Sequence, residues 1–307
     1  LFAVFFLSKR SQDKSIQEIK DTELKKEMEP KPAKDLEWGD LSVVDDISLE
    51  VGYRLIHLVD VSKGGYLIDK IKGIRKKISS QIGFLTPSVH IRDNLDLDPD
   101  VYKINVMGIE IGTGKVEKDM HLAINPGEVY GELEGVKTTD PAYGLSATWI
   151  SEDLIDQANS FGYTVVDGGT VIATHISSIV LEHASSFFGV DDLDNMIGQI
   201  ESQNPKLAEQ LRSDKVESGL FMRTLQKLLS EDVPLLQFKN ISMAYLTALS
   251  KTHDEEELLK ITREGIGKFI VSPLIGDDEN DKSINVLALE PALEGILSEA
   301  VAQSISS

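Results

Sequence analysis

Three acidic residues alternate along one short segment, in the manner of a calcium-binding loop. Asp96, Asp98 and Asp100 each present a carboxylate, and carboxylate oxygens are the ligands that calcium prefers. A loop of that kind also needs Gly at its sixth position and Glu at its twelfth, where this chain has Val101 and Met107. The run therefore predicts a solvated turn, helped by a neighbouring proline, and no metal site is expected.

The histidines have no spacing that suits a metal. His175 and His183 lie on one predicted helix. They are eight residues apart, which is about two helical turns and too far for both to bind one ion. No His-Glu-x-x-His sequence is present, so buried or surface histidines are the expected interpretation.

Motifs for phosphate binding and for nucleophilic catalysis are also missing. The glycines between Gly108 and Gly114 have the wrong spacing for a dinucleotide fingerprint, and a turn at the end of a strand explains them better. No Gly-Lys-Ser/Thr loop and no Gly-x-Ser-x-Gly elbow occurs. Chance carboxylate pairs carry no weight among 51 acidic residues. We therefore expect no enzyme activity and no cofactor.

One turn has a composition suited to contact with another molecule. Between Thr139 and Leu145 the chain places Pro141, which fixes one backbone angle, and Gly144, which permits a tight reversal. Tyr143 between them combines apolar area with a polar tip, as anchors of interfaces do. From the residues alone, an ordinary turn with a tyrosine packed in the core is the simpler interpretation.

Composition limits the class of partner. The 307 residues carry a formal net charge of −20, which repels nucleic-acid phosphates and anionic lipids. No nucleic-acid partner is expected; the charge favours basic or polar protein partners, or serves solubility alone. The absence of cysteine excludes disulfides and thiolate zinc sites and is compatible with a reducing compartment.

The chain begins with an apolar run, Leu1 to Leu7, followed by Lys9 and Arg10. This run is far shorter than the ~20 residues that cross a bilayer. It is interpreted either as the end of a membrane helix with basic residues on the cytoplasmic side, or as a short buried strand or vector-derived segment. Residues 11–37 mix charges with prolines and predict a linker.

Periodicity predicts α/β structure up to about residue 187. Alternation predicts strands over residues 47–53, 89–92 and 102–111, and the apolar run 55–59 extends the first of them. Gly112-Thr113-Gly114 is predicted to form a turn after the third strand, and residues 120–124 are predicted to pair with that strand. A short strand follows at 165–166. Helices are predicted from Leu67 to Ile82 with Gly83 as its cap, and over 171–187 with Thr170 as N-cap.

Beyond residue 188 the apolar spacing becomes helical through to about residue 270, which predicts a small helical domain. Pro205 and Pro234 stand at predicted helix starts. A strand over 284–289 and a helix from Pro291 to about Val301 follow. Such a strand–helix unit cannot bury both its faces, so a further, incomplete domain is expected.

Several of these segments, in order and spacing, together resemble the FlhA family of type III secretion export gates. They are Leu49–Ile56, Ile74–Lys77, Val89–Asn94, Gly108–Gly112, Leu122–Gly127, Thr139–Leu145, Thr164–Asp167 and Val171–His175, with a weaker match around Thr224–Leu229. The His-Ile-Arg-Asp-Asn sequence beginning at His90 is more similar to the flagellar branch than to the injectisome branch.

The resemblance implies a domain order. Residues 1–10 become the end of a transmembrane helix and 11–45 the linker. Residues 46–118 and 168–187 become a discontinuous α/β domain interrupted by a small α/β insert, 119–167. Residues 188–267 become the helical domain, and 268–307 the start of a last, truncated α/β domain.

The resemblance also implies a function. Members form a nine-membered ring beneath the inner-membrane gate, and their cytoplasmic part docks chaperones that carry export substrates. Stalk and ATPase components and other gate proteins are the further partners; a purely structural ring element remains the alternative.

The matching chaperone-binding positions are Asp140, Tyr143 and Thr174, so Tyr143 is now expected to contact a partner. Trp38 matches the part of the linker that contacts a neighbouring subunit and the stalk, and Gly52 matches a position linked to domain motion, where a residue of wide backbone freedom is apt.

Overall fold

A computed structural model describes residues 44–60, 65–213, 216–275 and 288–305 of the chain. The first sheet has four strands in the order β2-β1-β3-β4. These strands are β1 (Ile47–Val51), β2 (Val89–Asp93), β3 (Val101–Val106) and β4 (Ile109–Lys115). β1 and β2 are parallel, whereas β3 and β4 add antiparallel strands on the other side of β1.

A parallel pair needs a long crossover, and helix α2 (Leu67–Ile82) supplies it. The predicted apolar face is confirmed, because Leu67, Ile71, Ile78 and Ile82 are buried. Gly83 ends the helix in the left-handed conformation with φ 93°, and its N–H donates to the carbonyl oxygen of Ser79. The apolar run before α2 was wrongly assigned to a strand: it forms a 3₁₀ turn (Tyr53–Leu55) and the short helix α1 (Ile56–Val59).

The long strand predicted over 102–111 is a tight hairpin. β3 ends at Val106 and β4 begins at Ile109, with Met107 (φ 50°) and Gly108 (φ 79°) as the turn. Two successive left-handed residues make the turn that matches strand twist. The predicted turn at Gly112-Thr113-Gly114 is therefore wrong, since these residues lie inside β4.

The second sheet is antiparallel, with the order β6-β7-β5-β8. Its strands are β5 (His121–Ile124), β6 (Val136–Thr139), β7 (Ser146–Ile150) and β8 (Thr164–Asp167), with a 3₁₀ turn (Glu152–Leu154) and helix α3 (Ile155–Ser160) before β8. The prediction that 120–124 pairs with the preceding strand is wrong, because β5 pairs with β7 and β8. The short strand predicted at 165–166 is confirmed.

The next helix, α4 (Gly168–Glu182), starts earlier than predicted, and its N-cap is Asp167 rather than Thr170. The Asp167 carboxylate accepts the N–H of Thr170 at 2.8 Å, which satisfies one of the free donors of the first turn. α4 packs against α2, and the short helix α5 (Ala184–Phe187) follows it.

The remaining elements are helical, as the spacing predicted. They are α6 (Val190–Glu201), α7 (Pro205–Leu211), α8 (Ser218–Ser230), a 3₁₀ turn (Leu235–Gln237), α9 (Phe238–Leu249), α10 (Glu255–Val271), a 3₁₀ turn (Ser272–Leu274) and α11 (Pro291–Ile305). Pro205 occupies the first turn of α7, as predicted, whereas Pro234 precedes only the 3₁₀ turn. Most of the strand predicted over 284–289 lies outside the described residues.

One apolar core joins the first sheet, the inner face of the second sheet and the helices. It includes Ile47, Leu122, Ile172, Leu225 and Tyr245. A second, smaller cluster lies on the outer face of the second sheet, where α3 covers Ala123 and Ile150. The predicted domain boundaries stay predictions. Within the part of the chain that the structure describes, no helix combines the length and apolarity needed to cross a membrane. The predicted membrane-helix end and nearly all of the predicted linker lie outside that part.

Candidate functional site

The hairpin loop between β6 and β7 is built around Asp140. Its backbone N–H donates to the Leu145 carbonyl at 2.8 Å, and its own carbonyl accepts the N–H of Gly144 at 2.9 Å. Its side-chain Oδ2 accepts the N–H of Tyr143 at 2.8 Å. Asp140 is buried, with 2% exposure, whereas Tyr143 is 67% exposed. Asp140 therefore fixes a turn that projects Tyr143 outward, and the interpretation of Tyr143 as a core residue is wrong.

The turn closes through Gly144, whose φ is 69°. In this left-handed region a Cβ comes too close to the following carbonyl, at a cost of roughly 1–2 kcal/mol. A Cβ at Gly144 would meet no atom within 4 Å, so the need for glycine here is conformational.

Thr174 lies half-buried on α4, next to the buried His175. The Tyr102 hydroxyl of β3 lies 3.0 Å from His175 Nδ1, and the two rings meet edge to face at 5.8 Å. The Asp140 charge raises the pKa of Tyr102 and opposes the lowering of the His175 pKa. The hairpin loop and the helix that carries Thr174 are thus coupled electrostatically through a buried polar pair.

Burial shifts the pKa of both groups in this pair. Burial raises the pKa of Tyr102 far above its usual range, and the Asp140 charge raises it further. Burial lowers the pKa of His175, an effect that the Asp140 charge opposes. Both groups are neutral near pH 7, so either atom can be the donor in their single hydrogen bond. We assign the Tyr102 hydroxyl as the donor, which places the proton of the neutral imidazole on Nε2, and a titration of His175 tests this assignment.

Glycines of β4 provide the space for this pair. A Cβ at Gly112 would lie 2.8 Å from His175 Nε2 and 2.6 Å from Ile179 Cδ1. A Cβ at Gly114 would lie 2.8 Å from Tyr102 Cε1. Real Cβ atoms do not approach so closely, so the glycine spacing that suggested a turn is a packing requirement.

The N-terminus of α4 is tied to α2 by the Asp167 carboxylate. Lys70 Nζ lies 3.0 Å from Asp167 Oδ2 and 2.6 Å from the Thr170 hydroxyl, and the Tyr66 hydroxyl donates to Asp167 at 3.2 Å. Burial on its own raises the pKa of Asp167, but the hydrogen bond from Thr170 N–H and the Lys70 ammonium lower it overall. Asp167 therefore stays ionised and holds β8, α4 and α2 at a common junction.

Gly52 directly follows β1, and its glycine identity has a different cause from the one expected. Its φ of −65° is ordinary for any residue. A Cβ there would lie 2.7 Å from the Pro99 carbonyl oxygen and would also collide with that of Asp98. The Gly52 N–H donates to Val101 O at 2.8 Å, so backbone meets backbone with no room for a side chain.

The acidic run near residue 98 has structural roles. Asp100 Oδ2 accepts from Arg54 at 2.7 Å, and the Asn94 side chain accepts the Asp96 N–H at 2.9 Å. Across the described ranges no group of three or more metal-ligating side chains comes together. Trp38 lies outside those ranges.

A groove with a volume of about 630 Å³ lies on the second sheet. The loop after β5 and strands β6 and β7 line it, with Tyr130, Lys137, Thr148 and Tyr163 among the lining residues. Sequence analysis predicted neither this groove nor the Tyr102–His175 pair. The signal available for the pair was one polar residue, His175, on the otherwise apolar face of a predicted helix.

Solved structures define the class of fold. The CdsV protein of Chlamydia pneumoniae superposes with a TM-score of 0.71 at 20% identity, covering 85% of this chain and 76% of that one. The nonameric SctV-C of EPEC superposes with a TM-score of 0.60 at 15% identity, covering 86% and 84%. At these identities the comparison shows a shared mixed α/β fold.

Sequence comparisons give the family. The FHIPEP family model matches residues 1–307, and the chain belongs to this family. The flagellar biosynthesis protein FlhA of Escherichia coli K12 is 38% identical over 292 residues, which is 92% of this chain and 42% of the relative. FlhA of Helicobacter pylori J99 is 42% identical over 192 residues, 62% of this chain and 26% of that protein. The chain thus spans less than half the length of these relatives.

Proposed function

We propose that this chain is the cytoplasmic docking platform of a flagellar type III export gate at the bacterial inner membrane. In this proposal it receives export chaperones loaded with their cargo and performs no catalysis. One observation carries it: the buried Asp140 builds a rigid turn whose exposed tip is the aromatic ring of Tyr143. A pre-formed turn loses little conformational entropy on binding, and an exposed Tyr offers a large contact area.

Thr174 extends this docking surface onto α4. Its half-buried side chain lies next to His175, and His175 is close enough to Asp140 to feel its charge. In this proposal a partner that covers Tyr143 also contacts the Thr174 segment. The surface defined by Asp140, Tyr143 and Thr174 combines one aromatic ring with polar groups, which suits a protein partner.

The flagellar assignment is supported by relatives named flagellar biosynthesis protein FlhA at 38% and 42% identity. An injectisome gate is the alternative, since the solved relatives CdsV and SctV-C share the fold at 20% and 15% identity. Assembly into a nine-membered ring, with stalk and ATPase components and other gate proteins as further partners, belongs to the same proposal. The nonameric state described for SctV-C and a CdsV complex with CdsO support it by analogy.

Calorimetric titration with a cognate chaperone–cargo complex tests the docking function. Tyr143→Ala should weaken binding by about 1–2 kcal/mol or more, whereas Tyr143→Phe should retain most of the affinity. Asp140→Ala should weaken binding as well, because the turn loses the acceptor for the Tyr143 N–H.

Tyr53→Ala is the matched control, since Tyr53 is 52% exposed but lies next to β1 in the other sheet. Equal affinity of the parent, Tyr143→Ala and Asp140→Ala, all shown to be folded, would favour a purely structural ring element instead.

A further inference from the structure

β6 is the edge strand of the second sheet, and its whole length is exposed. Among the described residues its pairing partner is β7, in the register Val136↔Trp149 to Thr139↔Ser146. Asp140 and Leu145 form the next pair along the hairpin, and the Asp140 N–H donates a hydrogen bond of 2.8 Å to the Leu145 carbonyl. The backbone N–H and C=O of residue 140 therefore point toward β7. The direction of every backbone group in β6 follows from this bond, because antiparallel pairing alternates.

Alternation leaves two residues of β6 with outward backbone groups. Thr138 shares the orientation of Asp140 and bonds toward β7, whereas Lys137 and Thr139 point their N–H and C=O away from the sheet. A hydrogen bond on the other side of β7 confirms this alternation. Ser146 lies opposite Thr139, and its carbonyl accepts the N–H of Asn125 at 2.9 Å, so it points away from β6. No hydrogen bond in the described part of the chain uses the outward groups of Lys137 or Thr139.

The edge strands of the first sheet carry more charged side chains than β6 does. On β2, Arg92 forms an ion pair with Asp45 and His90 contacts the same carboxylate. On β4, Glu110 pairs with Lys103 of β3, beside a register irregularity between Ile104 and Asn105. Charges and irregularities of this kind discourage edge pairing. β6 has no proline, and its one charged residue, Lys137, forms no ion pair among the described residues.

We propose that the outward edge of β6 pairs with an extended segment of the cargo polypeptide, which adds a fifth strand to the second sheet. This inference rests on the proposed docking function and names the part of the partner that the edge would hold. Two N–H and two C=O groups, at the ~6.8 Å spacing of alternate strand residues, match an extended backbone rather than a helix. Backbone pairing of this kind tolerates many sequences, as a platform for different cargoes requires.

Position favours the cargo as the occupant. Thr139 is followed directly by Asp140, so the free edge runs into the turn proposed to hold the chaperone. The groove of about 630 Å³ opens beside β6 and can take the side chains of an added strand. Lys137 and Tyr130 line this groove, which gives those side chains one cation and one exposed aromatic ring.

The discriminating variant is Thr139→Pro, with Thr139→Ala as its matched control. Proline removes the outward N–H of Thr139 and places its ring on that edge, while the bonds of Thr138 and Asp140 toward β7 remain. Alanine removes the same side chain but keeps the N–H. We expect Thr139→Pro to bind the cargo-loaded chaperone about 3- to 10-fold more weakly than Thr139→Ala. Both variants should bind the empty chaperone equally. Equal affinity of both variants for the loaded complex would overturn the proposal.

Hydrogen exchange of the parent chain provides a second test that needs neither the chaperone nor a variant. Adding the cargo protein as an unfolded monomer should slow exchange of the Lys137 and Thr139 amides, while the Thr138 and Asp140 amides are protected throughout. Unchanged exchange at both outward amides would refute the edge proposal. If the chaperone complex does not bind but cargo alone slows these amides, the docking proposal fails and the edge proposal stands.

Discussion

The two-sheet region and the helical region bury different kinds of side chain. Around α4 the interior contains Asp140, Tyr102 and His175, held by hydrogen bonds and by glycines that make room for them. In the helical region the buried set is almost wholly apolar, and its buried threonines donate to carbonyls of their own helix. Apolar packing supplies stability, whereas a satisfied polar network specifies one geometry. The region that contains the network is the one that presents the proposed docking surface.

The largest effect should come from the apolar region. Leu228→Ala removes a fully buried side chain from α8 and should lower the free energy of unfolding by about 2–5 kcal/mol. Denaturant titration measures it, with Leu236→Ala as the control, since Leu236 is 56% exposed and should change stability by less than about 0.5 kcal/mol. If the folded Leu228→Ala variant also lost chaperone affinity, the two regions would not be separable in the way described.

Glycine substitutions sharpen the comparison within the sheets. Gly112→Ala pushes a methyl group against His175 and Ile179 and should destabilise the fold by about 1–3 kcal/mol. Gly73→Ala, inside α2 with no atom within 4 Å of its new Cβ, should stabilise by about 0.5–1 kcal/mol. Thermal unfolding of both variants decides the matter, and a neutral Gly112→Ala would show that β4 has more room than the structure indicates.

Acid should weaken the polar network before it affects the apolar region. The His175 pKa is lowered in the fold, so its contribution to stability is complete above its unfolded pKa of about 6.5 and is lost as pH falls through the folded value. Tyr102→Phe removes a hydrogen bond that favours the neutral ring, so it should raise the His175 pKa.

NMR titration of the His175 ring in the parent and in Tyr102→Phe measures this shift. A His175 pKa that did not rise in Tyr102→Phe would contradict the assigned direction of the hydrogen bond.

The smallest effect on stability should come from the residue with the largest proposed role in binding. Tyr143→Ala removes a side chain that is 67% exposed, so the free energy of unfolding should change by less than about 0.5 kcal/mol. Denaturant titration beside the binding measurement separates the two roles. A large loss of stability would mean that Tyr143 supports the turn rather than presenting a contact surface.

Periodicity was enough to predict the helical region, because its helices are long and each has one buried face. It failed where the signal was short or local. The alternation of β3 continues through the Met107-Gly108 turn, and nothing in Met107 signals its left-handed backbone. The run Leu55–Val59 is too short for its apolar residues to distinguish a helix from a strand. β6 has no buried residue, and so it had no pattern to detect.

The residues proposed for docking illustrate the same limit. Resemblance to relatives pointed to Asp140, Tyr143 and Thr174, but the role of Asp140 in holding the turn needed coordinates. Gly52 was singled out for backbone freedom, yet its backbone angle is ordinary and the reason is the approach of Pro99. Contacts between residues distant in sequence leave no trace in local composition.

The two faces of the second sheet have unequal support. The inner face contributes Leu122 and Trp149 to the main core, whereas the outer face has only a small cluster around Ala123, Ile150 and Ala158. Detaching α3 therefore exposes less apolar surface than separating the sheet from the core, so we expect α3 to unfold locally at a lower free energy than the main core. The Asp140 turn is held by its own hydrogen bonds and uses no residue of that cluster, so we expect this local unfolding to leave the shape of the proposed docking surface unchanged.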